Sequence, residues 1–271
     1  MFVKINSFVF TFLFLSLSSL AQTYSVLHTE GTIIKTETKK SLATGDTFSA
    51  QDSLTFPKQL SWAVVASPTG DLFFIQNTST STKASMQLLS PIERTEHPIK
   101  RKSDELVKDL KKYFQGDQFV FIGNHFSLPI DTESYVIDEK QFLLYRYEYN
   151  ARIITHKLPL TKDGIAFNAV FLYEHKGEKI PYLKTSHTEL TYFNSNTNLP
   201  TFLAEFHPIW LNEDQLKKEL TVLQKVYSSS KKHKGSKIDY TVLFLKYVQD
   251  IYGQTDEFYF SEWVQHNFPS R

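Results

Sequence analysis

Nine histidines in a chain without a single cysteine make imidazole the first side chain to examine. It binds metals, activates nucleophiles and moves protons near neutral pH. None of the nine sits in an H-E-x-x-H run or at another tight ligand spacing. His175 and His187 flank an expected hairpin that would let them approach each other. The run Glu205-Phe206-His207 would place a carboxylate and an imidazole on one strand face. Together His125, His156, His175, His187 and His207 leave open an exported hydrolase whose site is assembled from distant His, Asp and Glu residues. Spacing alone assigns no catalytic residue, no metal ligand and no cofactor.

Other chemistries leave fewer traces. A G-x-S-x-G elbow is absent, and Gly235-Ser236 reads as part of a polar loop before a helix. Neither a phosphate-binding loop nor a dinucleotide fingerprint occurs. The carboxylate pairs Asp131/Glu133 and Asp46/Asp52 lie beside turn residues, where acidic side chains commonly hold the backbone. The one local charge anomaly is Lys231, Lys232 and Lys234 with Lys237. This cluster reads either as a contact for an anionic partner or as a solvated loop joining two helices. Lys100-Arg101-Lys102 has the same two readings.

The elements that would carry these residues follow from periodicity. From residue 24 to about 76, short alternating strands such as YSVLHT, LSWAVVAS and DLFFIQ are separated by turns at Gly45-Asp46 and Thr69-Gly70. This predicts a small antiparallel β barrel or sandwich over 22–90. Tyr24, Val26 and His28 alternate onto one face. The remainder, 91–271, is predicted to be an α+β domain. A helix over 103–114 would start at Ser103 and bury Leu106, Leu110, Tyr113 and Phe114. Strands follow within 118–207, with AFNAVFLYE among them and hairpins at Asn150 and at Lys176-Gly177.

Three helices close the chain within 212–267. Asn212 caps the first, with Leu216, Leu220, Leu223 and Tyr227 as its stripe. Ser236 and Asp239 resemble a capping box for the second, with Ile238, Val242, Leu245, Val248 and Tyr252 along its face and Gly253 as its stop. Thr255 opens the third.

Location is written in the first 21 residues. Lys4 precedes an apolar run (8–17), and Ser19 and Ala21 place small residues where a signal peptidase reads, so cleavage is expected after Ala21. Loss of this segment lowers the formal charge from +1 to about zero. A neutral chain offers no general basis for nucleic-acid binding. Without cysteine there is no disulfide framework, no lipid anchor on a thiol and no thiol catalysis. No later apolar run reaches membrane-spanning length.

The runs VLHTEG, DSLTF and WAVVASPTGDLFFI, with YFQGDQFVFIGNHFSLPI, FLLYRYEYNARIITHKL and YGQTDEFYFSEWVQHNF downstream, resemble a group of exported Bacteroidota proteins. These share a small N-terminal β domain somewhat like FecR-type or SH3-like modules. The resemblance spans most of the mature chain and implies location and architecture; it carries no catalytic residue. The combined expectation is a non-enzymatic envelope protein, periplasmic rather than extracellular or outer-membrane-associated. It would bind an envelope protein or a cell-wall component.

Overall fold

The computed structural model describes residues 22–57, 60–76, 85–88, 105–230 and 238–269. The signal segment, Ser103, Ser236, Lys100-Arg101-Lys102 and the cluster Lys231, Lys232, Lys234 and Lys237 lie outside these residues. Within them the fold is α+β, and no helix is long and apolar enough to cross a membrane.

The N-terminal strands are β1 (Thr23–Glu30), β2 (Ile34–Lys35), β3 (Lys40–Ser41), β4 (Thr47–Ser49), β5 (Leu54–Thr55), β6 (Trp62–Ala66), β7 (Leu72–Gln76) and β8 (Ser85–Leu88). They make a five-stranded sheet, β4-β1-β6-β7-β8, and a three-stranded sheet, β3-β2-β5. Tyr24, Val26, Ala63, Val65 and Ile75 of the larger sheet pack with Ile33, Leu42 and Leu54 in one core. Val64 and Ala66, on the opposite face of β6, are also fully buried. A strand of four buried residues in a row (AVVA) is what burial on both faces demands.

The next elements are α1 (Leu110–Tyr113), β9 (Gln118–Ile122), β10 (His125–Leu128), β11 (Gln141–Tyr149), β12 (Arg152–Lys157), β13 (Leu160–Thr161), β14 (Gly164–Asn168), α2 (Ala169–Leu172), β15 (Glu174–His175), β16 (Glu178–Lys179), β17 (Ser186–Asn194), β18 (Leu199–Glu205) and β19 (His207–Leu211). The antiparallel sheets β12-β11-β17-β18 and β10-β14-β13 enclose an aromatic core with Phe114, Phe121, Tyr145, Phe167 and Trp210. Both expected hairpins form, with Asn150, Ala151, Lys176 and Gly177 at positive φ as tight hairpin turns require.

β9 and β19 pair in parallel and act as a partition. Phe119 and Phe121 face the aromatic core, whereas Val120 and Ile122 face the helices α3 (Glu213–Ser229), α4 (Tyr240–Ile251) and α5 (Glu257–Asn267). Leu216, Leu220, Leu223, Phe244, Val248 and Phe260 fill the helical core, closed from the other side by Leu27, Val64 and Ala66. The helices thus pack between two walls, β6 with β1 and β9 with β19.

Local differences from the expectation have physical causes. Among the described residues of the helix expected over 103–114, the helical part is the single turn of α1, capped by Asp109. Val107 instead bridges Ile130 and is buried, while Leu106 is exposed. AFNAVFLYE is not one strand, because Asn168 caps the backbone N–H of Phe171 and starts α2. Asn212 caps α3 as expected, but Asp239 itself is the N-cap of α4 and Asp256, not Thr255, that of α5. The buried face of α4 is Phe244, Tyr247 and Val248, leaving Val242 exposed. Gly253 does end that helix, at φ 122°.

Leu220→Ala opens a void inside the shared helical core and is expected to lower stability by about 2–5 kcal/mol. Val242→Ala, on the exposed face, should change it by less than about 0.5 kcal/mol. Denaturant unfolding followed by circular dichroism checks both; equal effects would contradict this burial pattern.

Candidate functional site

Strict alternation along β1 sends His28 to the face of Tyr24 and Val26. The structure sends it to the other. The register between β1 and β6 slips between Val26 and His28, so Leu27 is an extra residue in a β-bulge. A bulge re-aims the side chains beside it. Leu27 faces the helical core, and the bulge turns His28 to the same side, toward α3, where its Nδ1 lies 2.8 Å from Oε1 of Glu219.

Glu219 is 1% exposed, in the middle of the apolar stripe of α3. Both of its oxygens are occupied. Oε1 takes His28 Nδ1 and the Gln215 amide (2.9 Å). Oε2 takes the hydroxyls of Tyr247 (2.9 Å) and Tyr252 (2.7 Å). Gln215 is anchored in turn on Thr44 Oγ1. A buried charge is tolerated only when paired and hydrogen-bonded in this way.

The partners assign the protons. Both tyrosine hydroxyls donate to Glu219, so the short contact between Tyr252 Oη and His28 Nδ1, 2.9 Å, needs the proton on Nδ1. In the neutral ring Nε2 is then an acceptor. Burial first, and the Glu219 charge second, push the Tyr247 and Tyr252 hydroxyls well above the ordinary tyrosine range. Both stay donors at physiological pH.

His28 forms part of the wall of a cleft of about 380 Å³. Trp62 lies against the His28 ring, centroids 4.8 Å apart, and Tyr252 meets it edge-on at 5.6 Å. Tyr182, Trp210, Ile209, Leu211 and Ile251 supply much of the remaining wall, with Glu30 at the rim. The cleft therefore joins the N-terminal sheet, β19, α3 and the end of α4. A mostly apolar concavity with a few converging polar groups is the usual form of a small-ligand site.

The residues singled out by sequence stand elsewhere. His125, His175, His187 and His207 are exposed on separate strands. His187 does not meet His175; its Nδ1 is 3.2 Å from Glu205. Glu205 ends β18 and His207 begins β19, both exposed on either side of the buried Phe206. His156 packs against Tyr147 and Phe171, and burial, with His175 nearby, lowers its pKa. Among the described residues no three His, Asp or Glu side chains are placed to hold a metal ion. Asp46 and Asp52 accept backbone N–H groups of Ala43 and Ser49, and Asp131 accepts the Glu133 N–H and the Ser134 hydroxyl of its own turn, in the turn-holding role expected of them. Comparison with known proteins finds no matching family model, curated protein or solved structure.

Glu219→Ala removes the common acceptor of four donors and is expected to cost about 3–5 kcal/mol, with Glu219→Gln losing less. Equilibrium unfolding measures both, and a near-neutral Glu219→Ala would remove the network from its structural role. A second expectation concerns alkali. Burial pushes Tyr173 up to about 12, and it also pushes Tyr145, to which Tyr173 is hydrogen-bonded, well above the ordinary tyrosine range. Above pH 10 the folded chain keeps protons that the unfolded chain releases, so stability is complete below about 10 and falls as pH rises toward 12. Part of the phenolate absorbance, that of the buried tyrosines, should appear only together with loss of near-ultraviolet circular dichroism; titration of all tyrosines in the folded state would contradict it.

Proposed function

We propose that this chain is an exported binding and assembly module of a bacterial cell envelope, acting without catalysis. Its recognition site is the cleft walled by His28, Trp62, Tyr182 and Tyr252. The observation that carries this reading is the saturation of Glu219. A carboxylate with all four acceptor positions engaged holds its neighbours still, so the cleft is pre-organised to receive a partner group. In this reading the two N-terminal sheets form a small sandwich around Tyr24, Val26, Phe48 and Leu54, of the kind the resemblance to exported Bacteroidota proteins implies. The periplasm is the compartment that the leader-like N-terminus supports, and the partner is an envelope protein or a cell-wall component.

A hydrolytic reading is supported by a different observation from the scattered histidines. His28, with Nδ1 on a carboxylate and Nε2 toward a cleft, has the orientation of a general base. Loss of a hydrolytic activity in His28→Gln, with folding intact, would favour that reading over the binding one.

The binding reading is tested by a photo-crosslinking residue placed in cells at Leu183, which lines the cleft and is 70% exposed, and at Leu160, which is 46% exposed and outside it. A discrete adduct from position 183 that is absent from 160, and lost on Trp62→Ala, is the expected result. Adducts equal at both positions, or none at 183, would overturn the assignment of the cleft.

A further inference from the structure

Taking the cleft as the recognition site, we propose that it receives a primary ammonium group at the end of an aliphatic chain, as in a lysine-type side chain. Beside Trp62 the cleft offers the imidazole of His28 and the carboxylate of Glu30. In the neutral ring, whose proton Glu219 and Tyr252 hold on Nδ1, His28 Nε2 carries a lone pair. Glu30 Oε2 lies 3.9 Å from it, too far for these atoms to satisfy each other and close enough for one nitrogen with several N–H bonds to reach both. An ammonium has three such donors.

Charge and shape agree with that assignment. The lining includes the carboxylates Glu30 and Glu219 and neither lysine nor arginine. The field of Glu30 reaches across the cleft: after burial, it is a cause of the raised pKa of Tyr182 and a smaller one for Tyr252. Trp62, Tyr182 and Tyr252 bring aromatic rings to the same space, and a cation gains from aromatic faces. Ile209, Leu211 and Ile251 form an aliphatic wall suited to methylene groups. A ligand carboxylate would instead meet Glu30 and the Nε2 lone pair, both repulsive. Glu30 is 62% exposed and free to close on the ammonium, whereas His28 is fixed from behind by Glu219.

The test uses the full mature chain and its own fluorescence, since Trp62 and Trp210 line the cleft. Four probes are titrated: N-acetyl-lysine amide, its neutral counterpart N-acetyl-norleucine amide, N-acetyl-glutamate amide, and n-pentylamine. The lysine amide should saturate the signal, the norleucine amide should bind about tenfold more weakly or worse, and the glutamate amide weakest of all. Glu30→Gln should weaken the lysine amide by about five- to tenfold and leave the norleucine amide unchanged. Lysine amide tighter than pentylamine assigns a peptide-borne amine; equal affinity assigns a free one.

Norleucine amide binding as well as lysine amide would overturn the ammonium assignment and leave the cleft as a site for neutral ligands. No saturable response to any of the four would overturn it too. Crosslinking from position 183 then decides separately whether the cleft is a recognition site at all.

Discussion

Glu219 is a charge taken out of water, and the arrangement of three elements follows from having to satisfy it. Moving a carboxylate into a protein interior costs several kcal/mol unless hydrogen bonds replace its hydration. The replacements here come from β1 (His28), from the same helix one turn back (Gln215) and from α4 with its C-terminal cap (Tyr247 and Tyr252). Sliding α4 by one residue, or removing the bulge in β1, would strand a donor or the charge itself. The network therefore sets how the N-terminal sheet meets the helices, and the cleft is the space left where that meeting ends.

Apolar packing makes the meeting possible. β6 and β9 each present apolar side chains on both faces, so each belongs to two cores at once. Val64 and Ala66 cover the helices while Ala63 and Val65 cover the small sheets. Val120 and Ile122 cover the helices from the other side while Phe119 and Phe121 enter the aromatic core. A helix layer held between two such walls cannot shift without uncovering apolar area on both. That rigidity is what allows a polar network to keep hydrogen-bond geometry, since a half-satisfied one would be worse than none.

Much of the architecture was legible in the sequence because it rests on local rules. The three C-terminal helices carry 3.6-residue periodicity, and Asn212 has the side chain a cap needs. Asn150 and Gly177 mark hairpins because those backbones require positive φ. What was not legible depends on partners distant in sequence. His28 falls neatly into the alternation Tyr24, Val26, His28, and only the pairing of β1 with β6 reveals the bulge that turns it around. The helix expected from Ser103 has good punctuation, yet Val107 gains more by burial beside Ile130. The histidines downstream drew attention by number, although number says nothing about convergence. One signal was present: Glu219 interrupts the stripe Leu216, Leu220, Leu223, and an acidic residue inside an apolar stripe marks a buried polar group seeking donors.

The two carboxylates around His28 show how one functional group takes two roles through its surroundings. Glu219, dry and fully hydrogen-bonded, fixes which nitrogen of His28 carries the proton and where the ring points. Glu30, wet and with Nε2 only as a distant neighbour, contributes charge that can be redirected. A recognition site needs both, because a rigid atom supplies selectivity while a mobile charge pays little to adapt. Their separation along β1 is two residues, the repeat that returns a strand side chain to the same face. The bulge at Leu27 therefore moves both groups together: it takes His28 to the helices and carries Glu30 to the rim of the same cleft. A single inserted residue in one strand thus connects the buried charge that orders the fold to the exposed charge that would meet a ligand.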